Sequence, residues 1–262
     1  MSYHSQGLSR ALAALRALGT AEQPLSLATL SRTLDLPKST LIRLLIVMEE
    51  QGFVRRMGDP PTYTIGHSIH EIAESYRPAD VAEISSPFME KLAAELGFTT
   101  NLGVLEGRSV LHLNVEEPQR ALRFAASGTL DFSFCTGLGK MLLSTLDPAL
   151  VSEHVPETEP YPSFTPQTIT TRAELDAELE RVRSSGVSID DEERNRGVTC
   201  MAVLLPTEGL LPISLSISAP SGELTPSDQL NVLPTLRRTA AEMAAAPRFA
   251  SALTALKNRI TS

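Results

Sequence analysis

Cysteine is almost absent from this chain of 262 residues: there are two, Cys135 and Cys200, too far apart in sequence to build a disulfide framework or a metal cluster by themselves. That scarcity suits a reducing cytoplasm and assigns no metal and no cofactor. Histidine is also sparse, with five residues (His4, His67, His70, His112 and His154), so a histidine-based catalytic centre has few members to draw on. No apolar run approaches the ~20 residues that a membrane-spanning helix needs. The first twenty-one residues contain arginine and no acid, a pattern shared with targeting peptides. Yet Leu8, Leu12, Leu15 and Leu18 fall on one helical face, which fits a first helix of a folded domain. Internal repeats and a regular βαβ alternation are missing as well, which excludes solenoids and doubly wound sheets.

What the chain does have is an uneven distribution of charge. Residues 1–66 carry seven Lys/Arg and five Asp/Glu, a net of +2, so the remainder carries −10 of the total of −8. Only the N-terminal part has a balance compatible with approach to phosphates. At this length two domains are expected, each able to bury its own core.

The densest pattern is Leu25 to Arg56. Leu27, Leu30 and Leu34 form a short apolar stripe behind Ser26, a good N-cap, and the stripe ends at Asp35-Leu36-Pro37. Pro37 opens a second helix with Leu41, Leu44, Leu45 and Met48 at i, i+3, i+4 and i+7. The outer face of that helix carries Lys38, Ser39, Thr40 and Arg43. In a helix-turn-helix the first residues of the second helix enter the major groove, where Arg reads guanine bidentately and Lys holds phosphate. After Gly52, residues 53–56 and 63–65 read as two short strands around Gly58-Asp59-Pro60-Pro61, a wing that adds Arg55, Arg56 and Tyr63 to the DNA-contacting set. Helix, turn, helix, wing and basic face together outweigh the plainer reading of a helical pair with a solvated edge.

Downstream, Gly66 to Tyr76 has helical spacing and serves as a connecting helix. Pro87 to Leu96 is amphipathic with Phe88, Leu92 and Leu96 inward, Thr99–Glu106 and Ser109–Val115 form a hairpin, and residues 121–125 are a candidate further strand. Cys135-Thr136-Gly137-Leu138-Gly139 precedes a short helix over 140–146. Arg172 to Gly186 is a charged helix, residues 198–206 and 212–219 are apolar strands, and residues 226–246 hold a final helix interrupted or delayed by Pro234. This mixture is α+β.

Set side by side, these segments resemble the IclR family of bacterial transcriptional regulators along nearly the whole chain. The similar segments are Pro37-Lys38-Ser39-Thr40, Arg43-Leu44-Leu45 and Glu50-Gln51-Gly52-Phe53-Val54 in the first half. In the second they are Gly137-Leu138-Gly139-Lys140, Gly186 to Glu193, Gly197, Cys200-Met201-Ala202, Pro206 and Ser216-Ile217-Ser218-Ala219-Pro220. Ala219 departs from the glycine common there. The resemblance implies a winged helix-turn-helix domain (1–65), a linker helix (66–80), a GAF-like effector-binding domain (81–250) and a C-terminal tail (251–262). It implies dimers that often pair into tetramers, and a site for a small, usually carboxylate-bearing metabolite. On this sequence that site comprises Gly137, Leu138, Gly139, Asp190, Cys200, Ser216 and Ser218.

These residues make physical sense together. A glycine-rich helix entrance presents free amides to an anion, and Ser216 and Ser218 alternate onto one face of a strand. Leu102, Val104, Phe132 and Phe134 are candidates for apolar walls. The expected function is ligand-controlled binding to palindromic operator DNA in the cytoplasm, by a homodimer or homotetramer, without catalysis. Two rivals use the thiols: a hydrolase with Cys200 as nucleophile and a histidine such as His112 as base, or a redox sensor at Cys135 or Cys200.

Overall fold

The computed structural model describes residues 5–21, 23–76, 79–118, 126–207 and 209–260, and divides into two compact units between residues 77 and 78. The candidate strand over 121–125 lies outside the described residues. None of the described helices is long and apolar enough to cross a membrane.

The first unit runs α1 (Gln6–Gly19), β1 (Leu25–Ser26), α2 (Leu27–Thr33), α3 (Lys38–Glu50), β2 (Val54–Met57), β3 (Thr62–Ile65) and α4 (His67–Tyr76). Ser26 caps α2 as its sequence suggests, its hydroxyl accepting the Thr29 amide at 3.1 Å. The corner between α2 and α3 is held by Ser31, whose hydroxyl donates to the Leu36 carbonyl at 2.6 Å, and by Asp35 in the left-handed region. Leu41, Leu45 and Met48 of α3 are buried against Leu30, Val54 and Tyr63. Each full burial of such a side chain is worth roughly 1.5–3 kcal/mol, so the stripe fixes how α3 is rotated. Strands β1, β3 and β2 form an antiparallel sheet in that order. Gly66 closes the hairpin where a Cβ would collide with the Gly52 carbonyl.

Two expectations change here. In α1 the inward stripe is Ala11, Ala14, Leu15 and Leu18, while Leu8 and Leu12 are 61% and 50% exposed. The small alanines allow close approach of the helix, and the leucines one turn earlier fall outside it. Tyr63, expected at the DNA, is 4% exposed. It pairs with Leu25 on one side and Arg56 on the other in the middle strand of the sheet, and its ring points into the core.

The second unit begins with α5 (Ala79–Leu96) and continues through β4 (Thr99–Glu106), β5 (Ser109–Glu116), β6 (Leu130–Phe132), α6 (Gly137–Leu143), α7 (Arg172–Ser185), β7 (Ser188–Asp191), β8 (Val198–Leu204), β9 (Ser214–Pro220), α8 (Pro226–Ala244) and α9 (Pro247–Ile260). Its six strands make one antiparallel sheet in the order β6-β5-β4-β9-β8-β7. Period-two alternation gives the sheet two different faces. Leu102, Val104, Met201, Val203, Leu215 and Ile217 point toward α5, α8 and α9, and this is the main core. Opposite them, Asn101, Cys200, Ser216 and Ser218 face the side covered by α6. With helices and an antiparallel sheet segregated in this way, the fold is α+β.

The helix predicted from Pro87 starts eight residues earlier, and Pro87 sits inside α5. The short helix near residue 140 starts at Gly137, capped by Thr136. The stretch expected to be a C-terminal tail is largely α9, whose Phe249, Leu253 and Leu256 are buried in the main core. Those three recur at i, i+4 and i+7, the spacing of an inward stripe.

Candidate functional site

Two places in the molecule gather polar chemistry. On the first unit, Lys38, Ser39 and Arg43 of α3 and Arg55 and Arg56 of β2 are exposed, with Thr40 half-buried at the helix start. None of these four cations forms an ion pair among the described residues. The arrangement presents flexible cations on a backbone made rigid by the buried stripe behind it.

On the second unit, a cavity of ≈ 40 Å³ lies between the polar face of the sheet and α6. By the ~10–15 Å³ that one water occupies on this measure, it has room for about three waters, or the head group of a small molecule. Every strand contributes to it: Asp131 from β6, His112 from β5, Asn101 from β4, Ser216 and Ser218 from β9, Cys200 and Val198 from β8, and Asp190 from β7. Thr136, Gly137 and Leu138 close it from the α6 side, and Arg194 and Asn195 from the turn after β7.

Arg194 explains how the first and last strands share one cavity. In a flat sheet, five strand spacings would separate β6 from β7 by about 24 Å. Here the Arg194 amide donates to Asp190 Oδ1 at 3.3 Å, and its Nε donates to Asp131 Oδ1 at 2.7 Å. One residue therefore spans both edges, and the sheet must curl to allow it. The guanidinium stacks on Phe164 and Phe132, 4.4 and 5.5 Å from their centroids, which holds the clasp in place.

The floor is closely knit. Asn101 Nδ2 donates to Ser218 Oγ at 3.1 Å and to Ser216 Oγ at 3.4 Å, and Cys200 Sγ lies 3.2 Å from Ser218 Oγ. Asp190 Oδ1 accepts the Glu193 amide at 2.8 Å. Burial, reinforced by the nearby Glu193 and opposed by Lys140, raises the Asp190 carboxyl to about 7. Burial likewise lowers the pKa of His112, against the pull of Asp131, so its ring is neutral. Both thiols are pushed up, by burial first and then by Asp190, and stay protonated, the reverse of an activated thiolate.

Just beneath the cavity, Lys140 is completely buried. Its ammonium donates to the Ile189 carbonyl at 2.5 Å, to Glu178 at 3.2 Å and to Glu193. Burial alone would lower its pKa, but Glu193 and Glu178 outweigh it and hold the ammonium above its ordinary value. This lysine anchors α6 to α7 and to the end of β7.

Six of the seven residues expected at an effector site line the cavity: Gly137, Leu138, Asp190, Cys200, Ser216 and Ser218. Gly139 does not. Its amide donates to Thr136 Oγ1 at 3.2 Å as part of the helix cap, and a Cβ there would collide with the Ser133 carbonyl. The apolar walls expected from Leu102, Val104, Phe132 and Phe134 are also displaced. Leu102 and Val104 belong to the opposite face of the sheet and Phe134 to the cluster under α7. Phe132 instead packs against Arg194. In sequence Asn101 reads only as part of a strand, and His112, set between Leu111 and Leu113, only as a candidate catalytic base. Asp131 and Arg194 carried no local signal.

Residues 73–245 match the model of the bacterial transcriptional regulator IclR C-terminal domain, and residues 7–58 match that of the IclR helix-turn-helix domain. The chain belongs to the IclR family of transcriptional regulators. It is 31% identical over 245 residues to the HTH-type transcriptional repressor AllR of Klebsiella pneumoniae, covering 92% of this chain and 90% of that one. The crystal structure of an IclR homolog complexed with 4-hydroxybenzoate, from Microbacterium hydrocarbonoxydans, matches with a TM-score of 0.74 at 23% identity, over 95% of this chain and 99% of that one. The Thermotoga maritima IclR matches with a TM-score of 0.70 at 22% identity, over 94% and 100%. This IclR-family chain is thus a DNA-binding regulator with a C-terminal effector-binding domain, and not an enzyme.

Proposed function

We propose that the cavity holds a small carboxylate-bearing metabolite whose binding changes how the α3 face engages operator DNA. The supporting observation is the cavity itself, a partly open space to which all six strands contribute. An incoming carboxylate meets Asp190 at the pH where that group is half protonated, so the protonated acid donates a hydrogen bond to the ligand. Arg194 adds positive charge. Gly137, Leu138, Cys200, Ser216 and Ser218 frame the same end, while Gly139 keeps a structural role. The homolog from Microbacterium, complexed with 4-hydroxybenzoate, supports an organic acid, of which the cavity in this structure takes the head group.

On the DNA side, Lys38, Ser39, Thr40 and Arg43 enter the major groove while Arg55 and Arg56 contact the backbone. The small positive excess of the first unit gives one copy weak affinity, so a homodimer or homotetramer on a palindromic operator in the cytoplasm supplies the rest. Half-sites then lie about one helical turn, ~34 Å, apart. The ligand acts only through its difference in affinity for the arrangements that fit and do not fit that spacing.

A thermal-shift screen of the full chain against benzoate, 4-hydroxybenzoate and short 2-oxo and 2-hydroxy acids tests the reading. A binder raises the midpoint in a concentration-dependent way, and the rise is lost in Ser216→Ala or Asp190→Ala. A panel without any binder overturns it.

A further inference from the structure

The outward face of α3 is not purely polar. With ~100° between successive residues, Ser39, Ile42, Arg43 and Ile46 fall within an arc of about 100°, on the far side of the helix from Leu41, Leu45 and Met48. The side chains follow that division: the last three are buried, whereas Ile42 is 40% and Ile46 48% exposed. Neither isoleucine belongs to the core of the first unit. Helix propensity does not ask for them either, because a β-branched side chain forms helix less readily than the Leu, Lys or Glu that could stand at an exposed position. Single exposed apolar residues are ordinary. Two of them, one turn apart and beside Arg43 on the same face, form a strip.

The charges around the strip say what covers it. Lys38 and Arg43 are exposed and form no ion pair among the described residues. A protein surface seated here would need acids for both cations interleaved with apolar groups. The major groove already offers that combination: a negative field from the phosphates, acceptor atoms on guanine for Arg43, and the 5-methyl group of thymine as an apolar projection. Between Ile42 and Ile46 the helix advances about 6 Å, close to two base-pair steps of ~3.4 Å.

From this geometry we infer that Ile42 and Ile46 are specificity-determining residues that read thymine by its methyl group, beside the base pair that Arg43 reads. A·T pairs at those two positions are then chosen without a hydrogen bond to either base. This rests on the reading given above that α3 enters the major groove.

The test titrates the full chain by fluorescence anisotropy, at fixed salt, with a duplex that it selects from a random pool. Each thymine is replaced in turn by deoxyuridine, which removes the methyl and keeps the base pair. Loss of a methyl contact is expected to weaken binding about fourfold, the scale of one buried methyl group. Ile42→Ala makes thymine and uracil equivalent at one position, and Ile46→Ala does so at a second. Both variants keep the wild-type urea midpoint, because the side chains removed are exposed. A preference lost in one variant alone confines the methyl contact to that residue and overturns it for the other. Indifference of the wild-type chain to uracil at every position, or a thymine preference that survives in both variants, overturns the inference. So does a smaller assembly in sedimentation of the doubly substituted chain with its thymine preference intact, which makes the strip a contact between copies. Arg43→Ala separates the two levels: unchanged operator affinity in that variant, or failure of the wild-type chain to select any duplex, overturns the docking of α3 as well, whereas weaker binding together with indifference to uracil overturns the methyl contact alone.

Discussion

The α3 face and the sheet cavity treat polar groups in opposite ways. On α3, cations stand in solvent at no desolvation cost, and an apolar stripe behind them supplies the rigidity. In the cavity, Asp190, Asn101 and His112 are removed from water, which is costly unless each finds a partner. The first arrangement binds whatever carries phosphates and lets a few side chains refine the choice. The second is selective because any ligand must complete a nearly finished network. A substitution on a surface like α3 leaves folding untouched, whereas one in a site like the cavity also changes what the network can accept.

The sharpest way to break this contrast is at Lys140. Lys140→Met leaves Glu193 without its buried partner and is expected to cost about 3–5 kcal/mol, read as a lower urea midpoint for the full chain. Adding Glu193→Gln should recover much of the loss. A Lys140→Met protein as stable as wild type would mean that the buried charges beneath the cavity are not holding it together. On the exposed face the same kind of deletion should act on binding alone. Arg43→Ala is expected to cost ~1–3 kcal/mol in discrimination between operator and mismatched duplex, measured by fluorescence anisotropy at fixed salt on a duplex selected from a random pool, with unchanged unfolding.

Acidity separates the regions next. Because Asp190 is raised from 3.8 to about 7 on folding, folding takes up a proton between those values. Its contribution to stability is full below about pH 4 and is lost as pH rises through 7, with a slope of at most ~1.4 kcal/mol per pH unit. Asp190→Asn should flatten that slope in urea titrations between pH 4 and 8. Arg43→Ala, which keeps Asp190, should leave that slope as it is in the wild-type chain. The smallest effect concerns Tyr63. Placed in the core, Tyr63→Phe should alter stability and operator affinity by less than about 0.5 kcal/mol. A tenfold loss of operator affinity in that variant would return Tyr63 to the DNA.

These differences track what the sequence made visible. The α3 stripe was legible because a helix writes its buried face locally, at i, i+3, i+4 and i+7. Ser216 and Ser218 were legible for the same reason at period two. Tyr63 was misassigned because the hairpin alternation names two faces without saying which one meets the core. Leu102 and Val104 were misassigned in the same way, one residue out of phase with Asn101. Asp131 and Arg194, 63 positions apart, become neighbours only through the curl of a six-stranded sheet, and no local pattern records that. The α9 helix had its stripe in Phe249, Leu253 and Leu256, but in sequence the final helix ends at residue 246 and the stretch after it reads as a tail.

The contribution of one or two side chains per strand has a consequence for how such a regulator changes over time. The sheet side chains that line the cavity take no part in the backbone ladder between strands, and they are spread over all six strands. A substitution at the position of His112 or Cys200 can therefore retune the chemical vocabulary of the cavity one letter at a time, while the register of the sheet stays as it is. Signal identity can drift among descendants of this fold without any rewiring of the DNA-reading half.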